Sequence, residues 1–389
     1  NYELGSVIKP IIVASALESG AVSDSDVFIC DGGEQIGNDY VRCAVYPYAH
    51  GTETLGEVIQ NSCNDGMMAI GRKMGAALLL DYQSRFNFGS RTGIDLPNES
   101  SGAIYTLDQM KDMELASTTF GQGFTSTMIQ EISAVSAVIN GGTYYQPHVV
   151  KEIKSQEDGS VLKTNEGNVL KQIVSSDVSE KIREYMGMSV TSGTSRKSKV
   201  QGYSMGGKTG TAEILSTEEK DYLVSFIGFA PLDTPQVVVY VVVDRPNVEE
   251  QADSSYAQYI AQAILDEILP YMNIYPDEET EETTKLWDGF KGVLRLDDSE
   301  VEVNEPIVQT EGSETGTDNA QDIEVVQDES GSSEEYNDEE SDGVASENAG
   351  YEETVSEDVS DEEDTSSDTS NEEDTSNQDE STYEEDEGE

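Results

Sequence analysis

The last 93 residues of this 389-residue chain, Asp297 to Glu389, contain no Lys or Arg and hold 38 of its 79 acidic residues. Asp, Glu, Ser, Thr, Gly and Asn dominate the stretch. Such a segment cannot bury enough apolar surface to offset roughly 1–2 kcal/mol of backbone entropy per residue, so it is expected to be disordered. Folding is thereby confined to residues 1–275, with 276–296 as a linker and 297–389 as an acidic tail. The chain before the tail is acidic too, residues 1–296 carrying −19 of the formal −57. No nucleic-acid partner is expected, because phosphate binding draws on clustered Lys and Arg. Anionic membrane surfaces are disfavoured for the same reason.

Within residues 1–275 no apolar run approaches the roughly 20 residues that span a bilayer, and no signal peptide is present. The longest apolar run, Val237 to Val243, is short and β-branched and reads as a buried strand. The chain starts at Asn1 without an initiator Met, so a targeting or anchoring segment is expected upstream. Cys30, Cys43 and Cys63 make neither a disulfide framework nor a zinc pattern, since no C-x-x-C occurs and there are only two histidines. A Cys30–Cys43 bridge stays open in an oxidising compartment.

Pro10 to Ser19 is an apolar helix stopped by Gly20. Leu55 to Ile59 and Met67 to Leu80 read as helices flanking the polar break Asn61 to Gly66. Thr127 to Ile139 carries a helical apolar stripe, Val149 to Leu162 reads as a hairpin turning at Glu157-Asp158-Gly159, and Ser176 to Ser189 as a polar helix. Met205 to Val243 supplies three strands, the last two joined at Pro231 to Pro235, and Ser255 to Leu269 is an amphipathic helix ended by Pro270. Helices early and strands late predict an α+β domain.

Three short motifs carry chemistry. In Ser6-Val7-Ile8-Lys9, opening a helix, positions three apart share a face, so the lysine reaches the serine hydroxyl. An amine there can take the serine's proton, and the positive end of the helix favours the alkoxide. A second S-x-x-K, Ser160 to Lys163, falls in the expected hairpin. Ser62-Cys63-Asn64 lies in the polar break, where two side chains two residues apart can converge only from a loop. Gly206-Gly207-Lys208-Thr209-Gly210-Thr211 places Lys208 and Gly210 on one side of a strand, with glycines that let a peptide approach its backbone. Gly202 to Thr209 also fits a phosphate loop, a reading that requires a helix directly after it.

The order S-x-x-K, S-x-N, K-T-G is the set of penicillin-binding proteins and β-lactamases. With YELGSVIKP, FICDGG, HGTETLGEVIQNSCNDGM, FNFGSRTGIDLPNESSG, FGQGFTSTMIQ and INGGTYYQPHVV, the chain from about Asn1 to Ile274 resembles the transpeptidase domain of class B penicillin-binding proteins. The resemblance implies an antiparallel sheet flanked by helices with an all-helical subdomain. Because the family carries sheet strands upstream of its nucleophile, a chain with five residues before Ser6 is expected to lack them. It implies Ser6 as the nucleophile attacking the penultimate D-Ala of a peptidoglycan stem peptide, Lys9 as its base, and Lys208 keeping Lys9 unprotonated through like-charge repulsion. Ser62 matches the proton-relay position, Asn64 the substrate-amide position, and Thr209, Gly210 and Thr211 the substrate-binding strand. The N–H groups of Ser6 and Thr211 match the oxyanion hole. Implied partners are stem peptides and their lipid-linked precursor, with β-lactams as acylating inhibitors; no metal or cofactor is implied. The implied place is the cell membrane, catalytic domain outside, with the anchor and wall-synthesis partners engaged through the region upstream. Alternatives are a serine β-lactamase, for which no deacylating Glu loop is visible, a penicillin-sensing domain, or an interaction module acting through its acidic tail.

Overall fold

The computed structural model describes residues 1–214 and 220–278. The expected disordered tail, and the expected linker beyond residue 278, lie outside the described residues.

A 3-10 turn, Gly5–Ile8, leads directly into α1 (Lys9–Glu18). Pro10 lies in its first turn, where a missing N–H costs no helical hydrogen bond. Every residue from Lys9 to Ala16 is buried, as expected of a helix that is apolar all round. It is the central rod of the domain. Next come three short strands, β1 (Val27–Cys30), β2 (Gly33–Ile36) and β3 (Asp39–Arg42), and then β4 (Gly51–Thr54). β1 pairs with β4 and β2 with β3, both antiparallel.

Three helices follow: α2 (Leu55–Gln60), α3 (Asn64–Met74) and α4 (Ala76–Arg85). Thr54 and Glu57 form a reciprocal capping box that starts α2. The single helix expected over Met67 to Leu80 is two. Gly75, at φ +74°, ends α3 in a left-handed conformation and α4 starts afresh. α3 also begins earlier than expected, at Asn64, because the Cys63 sulfur caps it by accepting the Gly66 N–H.

α5 (Asp112–Thr119) precedes α6 (Met128–Ile139), which is capped by Thr127 and Gln130. β5 (Thr143–Gln146) pairs with β8 (Asn168–Gln172), and between them the expected hairpin is β6 (Glu152–Lys154) with β7 (Val161–Thr164). α7 (Ser176–Thr191) then runs to the main sheet.

That sheet is β9 (Gly206–Ile214), β10 (Asp221–Ala230) and β11 (Val237–Asp244), antiparallel in the order β11-β10-β9. Alternation along β10 divides its side chains between two layers. Phe226 packs on Ala257 and Ala261 of α8 (Ser255–Tyr271), whereas Ile227 and Phe229 join the core built around α1. Burying each such side chain contributes about 1.5–3 kcal/mol. Pro270 lies in the last turn of α8, which ends one residue later. The architecture is α+β, with a central antiparallel sheet between helices. No helix among the described residues is long and apolar enough to cross a membrane.

Candidate active site

The three motifs meet where α1, the α2–α3 loop and β9 come together. Ser6 is half-buried in the 3-10 turn. Gly5 before it has φ +61°, and a Cβ there would lie 2.6 Å from the Thr211 carbonyl oxygen. Only glycine lets this turn press against β9. The Ser6 hydroxyl makes no hydrogen bond among the described residues, and the Lys9 amine one turn on is engaged elsewhere.

Lys9 is fully buried, and its Nζ donates to Ser62 O at 2.7 Å, Ser62 Oγ at 3.2 Å and Asn64 Oδ1 at 2.8 Å. Lys208, also fully buried, donates to the same Ser62 Oγ at 2.9 Å and to Thr209 O at 2.9 Å. One hydroxyl therefore stands between two amines. Ser62 holds it there from a left-handed backbone, φ +57°, which costs a non-glycine residue about 1–3 kcal/mol. Asn64 Nδ2 donates to Arg42 O at 3.1 Å. With Oδ1 taken by Lys9, one amide N–H is left for an incoming acceptor.

Neither lysine has an ion-pair partner among the described residues. Burial pushes the Lys9 ammonium down to about 8, partly offset by the acidic groups of Cys63, Cys43, Glu53 and Asp65. Lys208 lies well below its ordinary value, chiefly through burial and then through the charge of Lys9. The family resemblance places the like-charge effect on Lys9; in the structure desolvation leads for both amines, and repulsion adds at Lys208.

Among the described residues β9 is paired on one edge only, with β10. Thr209 is buried and its hydroxyl donates to Thr194 Oγ1 at 3.1 Å, whereas Thr211 is exposed. Gly210 has no room for a side chain: a Cβ would meet Ser225 Oγ at 2.3 Å. Thr194 carries no motif; its N–H bonds to Gln60 O at 3.1 Å, which ties the segment after α7 to the S-x-N loop. The phosphate-loop reading of Gly202 to Thr209 fails, because Gly206–Ile214 is continuous strand and the next element is strand β10. The second S-x-x-K stays on an exposed hairpin, where Ser160 Oγ donates to Asp158 Oδ1 at 2.7 Å.

All three cysteines are free thiols, so Cys30 and Cys43 are not bridged. Although their spacing along the chain shows no metal pattern, the fold gathers Cys30, Cys43 and Cys63 with His50, ligand atoms all within 4.8 Å of one another.

Residues 1–266 match the family model described as penicillin binding protein transpeptidase domain. The chain is 38% identical over 296 residues to stage V sporulation protein D of Bacillus subtilis, covering 75% of this chain and 46% of that protein. It is 27% identical over 282 residues to peptidoglycan D,D-transpeptidase FtsI of Escherichia coli, covering 72% and 45%. The chain spans about half the length of these curated relatives. Among solved structures, penicillin-binding protein 3 of Mycobacterium tuberculosis complexed with ampicillin superposes with TM-score 0.64 at 27% identity, over 72% of this chain and 64% of that one. The transpeptidase domain of Burkholderia pseudomallei penicillin-binding protein 3 matches in fold with TM-score 0.63 at 24% identity, over 72% and 82%.

Proposed function

The chain belongs to the penicillin-binding protein transpeptidase domain family, and on that premise we propose that it cross-links peptidoglycan stem peptides through an acyl-enzyme on Ser6. The observation that carries this reading is the Ser62 hydroxyl held between the buried amines of Lys9, one turn after Ser6, and Lys208.

In this mechanism a stem peptide lies along the unpaired edge of β9 as an added strand. Thr209 and Thr211 receive its terminal carboxylate, Gly210 lets its backbone approach, and the remaining Asn64 N–H takes a substrate carbonyl. Uncharged Lys9 removes the Ser6 proton as Oγ attacks the penultimate D-Ala carbonyl. The N–H groups of Ser6 and Thr211 stabilise the oxyanion, a contribution of about 2.7–4 kcal/mol per donor in other acyl transferases. The proton passes from Lys9 through Ser62 to the leaving D-Ala amine. An amine from a neighbouring stem then attacks the ester, and the proton returns along the same path.

β-Lactams enter as acylating mimics of the D-Ala-D-Ala end. The domain works outside the cell membrane, where its substrate lies, and similarity to a sporulation protein and to FtsI supports wall synthesis in sporulation or division.

Covalent labelling with fluorescent penicillin tests this. The chain should form an adduct that decays slowly, and Ser6→Ala should form none. Labelling that survives the substitution defeats the nucleophile assignment, and rapid decay of the adduct indicates a β-lactamase instead.

A further inference from the structure

Cys30, Cys43, His50 and Cys63 have no part in the chemistry just described. Pairing of β1 with β4 sets Cys30 opposite Gly51, so His50 stands at the end of the adjacent strand. The Cys43 N–H bonds to Gly32 O at 3.0 Å, which returns the chain after β3 to the turn after β1. Cys63 caps α3 from the S-x-N loop. All three sulfurs belong to buried residues.

Two of the spacings match a coordination shell, and no two of the four ligand atoms lie more than 4.8 Å apart. Cys43 Sγ lies 3.9 Å from Cys63 Sγ and 3.7 Å from His50 Nδ1. Tetrahedral zinc, with bonds of about 2.3 Å to sulfur and about 2.0–2.1 Å to nitrogen, sets such donors roughly 3.8 and 3.6 Å apart. A disulfide would require sulfurs about 2.05 Å apart. Surrounding groups suit thiolates. The Asn64 N–H donates to Cys43 Sγ and the Gly66 N–H to Cys63 Sγ, each at 3.4 Å. Asp65 Oδ2 accepts the N–H groups of Asp31 and Gly32, each at 3.1 Å, and so clamps the turn after Cys30. A carboxylate that fixes the chain beside a ligand in this way holds that ligand in place.

We propose that Cys30, Cys43, His50 and Cys63 bind one zinc ion in a closed, four-ligand structural site. Three thiols release their protons to give three thiolates, neutral His50 donates a lone pair, and with Zn2+ the cluster carries a net charge of −1. Soft sulfur donors in a tetrahedral set favour zinc over magnesium, calcium or manganese. Cys63 is the middle residue of the S-x-N loop, between the two residues that hold Lys9. The zinc thus staples the strained Ser62 backbone and the Asn64 side chain; Cys63 and its fellow ligands are positioning residues. This second step rests on the transpeptidase reading, whereas zinc binding does not.

The test uses the full chain, purified under reducing conditions without chelator. Elemental analysis after dialysis should find one zinc per chain, and Co2+ exchanged into the site should show the visible bands of tetrahedral cobalt with a thiolate charge-transfer band. Cys30→Ser and His50→Ala, which remove ligands, should each lower zinc affinity by more than the roughly 10–100-fold that loss of an outer-shell partner costs. Zinc-free wild-type protein, whether its three thiols react freely or two of them form a disulfide, overturns the site without reliance on any variant. Stripping zinc with a chelator should slow acylation by penicillin about 10–100-fold, as small misplacements of catalytic groups do, and added zinc but not magnesium should restore it. An unchanged rate overturns the staple alone. Zinc-loaded protein that never acylates overturns the transpeptidase reading and leaves the metal site standing.

Discussion

The chain contains the pattern S-x-x-K twice, and the two copies share nothing beyond it. At Ser6 to Lys9 the amine is fully buried at the start of a helix and is held by Ser62 and Asn64. At Ser160 to Lys163 the serine satisfies itself on Asp158, and the segment enters an exposed strand, β7. Helical backbone sets residues three apart on one face, whereas extended backbone sends them to opposite faces. The same four letters therefore sit in a buried, partnered setting in one case, where we propose a nucleophile and its base, and on a solvated hairpin in the other. What separates them is the water removed from the amine and the partners that aim it.

The contrast is most severely tested by removing each serine. Ser6→Ala should lower the rate of penicillin acylation by about 10⁶-fold, the loss that accompanies deletion of a serine nucleophile elsewhere, while Ser160→Ala should leave it unchanged. A comparable loss in both variants would erase the distinction. Replacing the amines comes next. Lys9→Met should cost about 10²–10⁴-fold in acylation rate with the melting temperature little changed, as expected for loss of a general base, and Lys163→Met should cost nothing.

A pH profile sharpens the comparison further. The base must be uncharged, and burial pushes Lys9 down to about 8, so its uncharged fraction falls tenfold per pH unit below that value. Stopped-flow acylation rates should climb with unit slope toward a plateau with its midpoint near pH 8. A profile flat from pH 6 to 9 would assign the proton transfer to another group.

The smallest effect concerns burial without chemistry. Glu131 on α6 is fully buried, neither carboxylate oxygen has a hydrogen-bond partner among the described residues, and burial pushes it up to about 8. The folded form keeps a proton that the unfolded form releases above its ordinary value, about 4.3. Stability is therefore lost as pH rises from about 5 to 8, by at most a few kcal/mol, and levels off above. Glu131→Gln should flatten that part of the melting-temperature profile and leave acylation intact. An unchanged profile would show that Glu131 does not titrate in this range.

Features that depend on local pattern are legible in the sequence alone. The buried helix after Ser6, the α6 stripe, the three late strands and the order of the motifs all follow from periodicity and turn residues. Four-residue strands such as β1 and β4 leave too little alternation to register, and the break at Gly75 hides inside an unbroken helical period. Thr194 has no signature, because its role comes from docking against Gln60. The cysteine cluster escapes a linear reading for a related reason. Its ligands are separated by 13, 7 and 13 positions along the chain, and only the β1–β4 pairing and the capping of α3 bring them to one point. Burial decides the electrostatics of the two lysines, and no one-dimensional spacing reports it.

The serine flanked by two amines has one more consequence. A hydroxyl with a nitrogen on either side is a relay with no preferred direction, since it can accept from one neighbour and give to the other either way round. By microscopic reversibility, the path that hands a proton to the departing amine also takes one from the arriving amine. In the mechanism we propose, the two half-reactions are then mirror images run on one wire. After each cycle the site is back in its starting charge state, with no proton borrowed from the surrounding water.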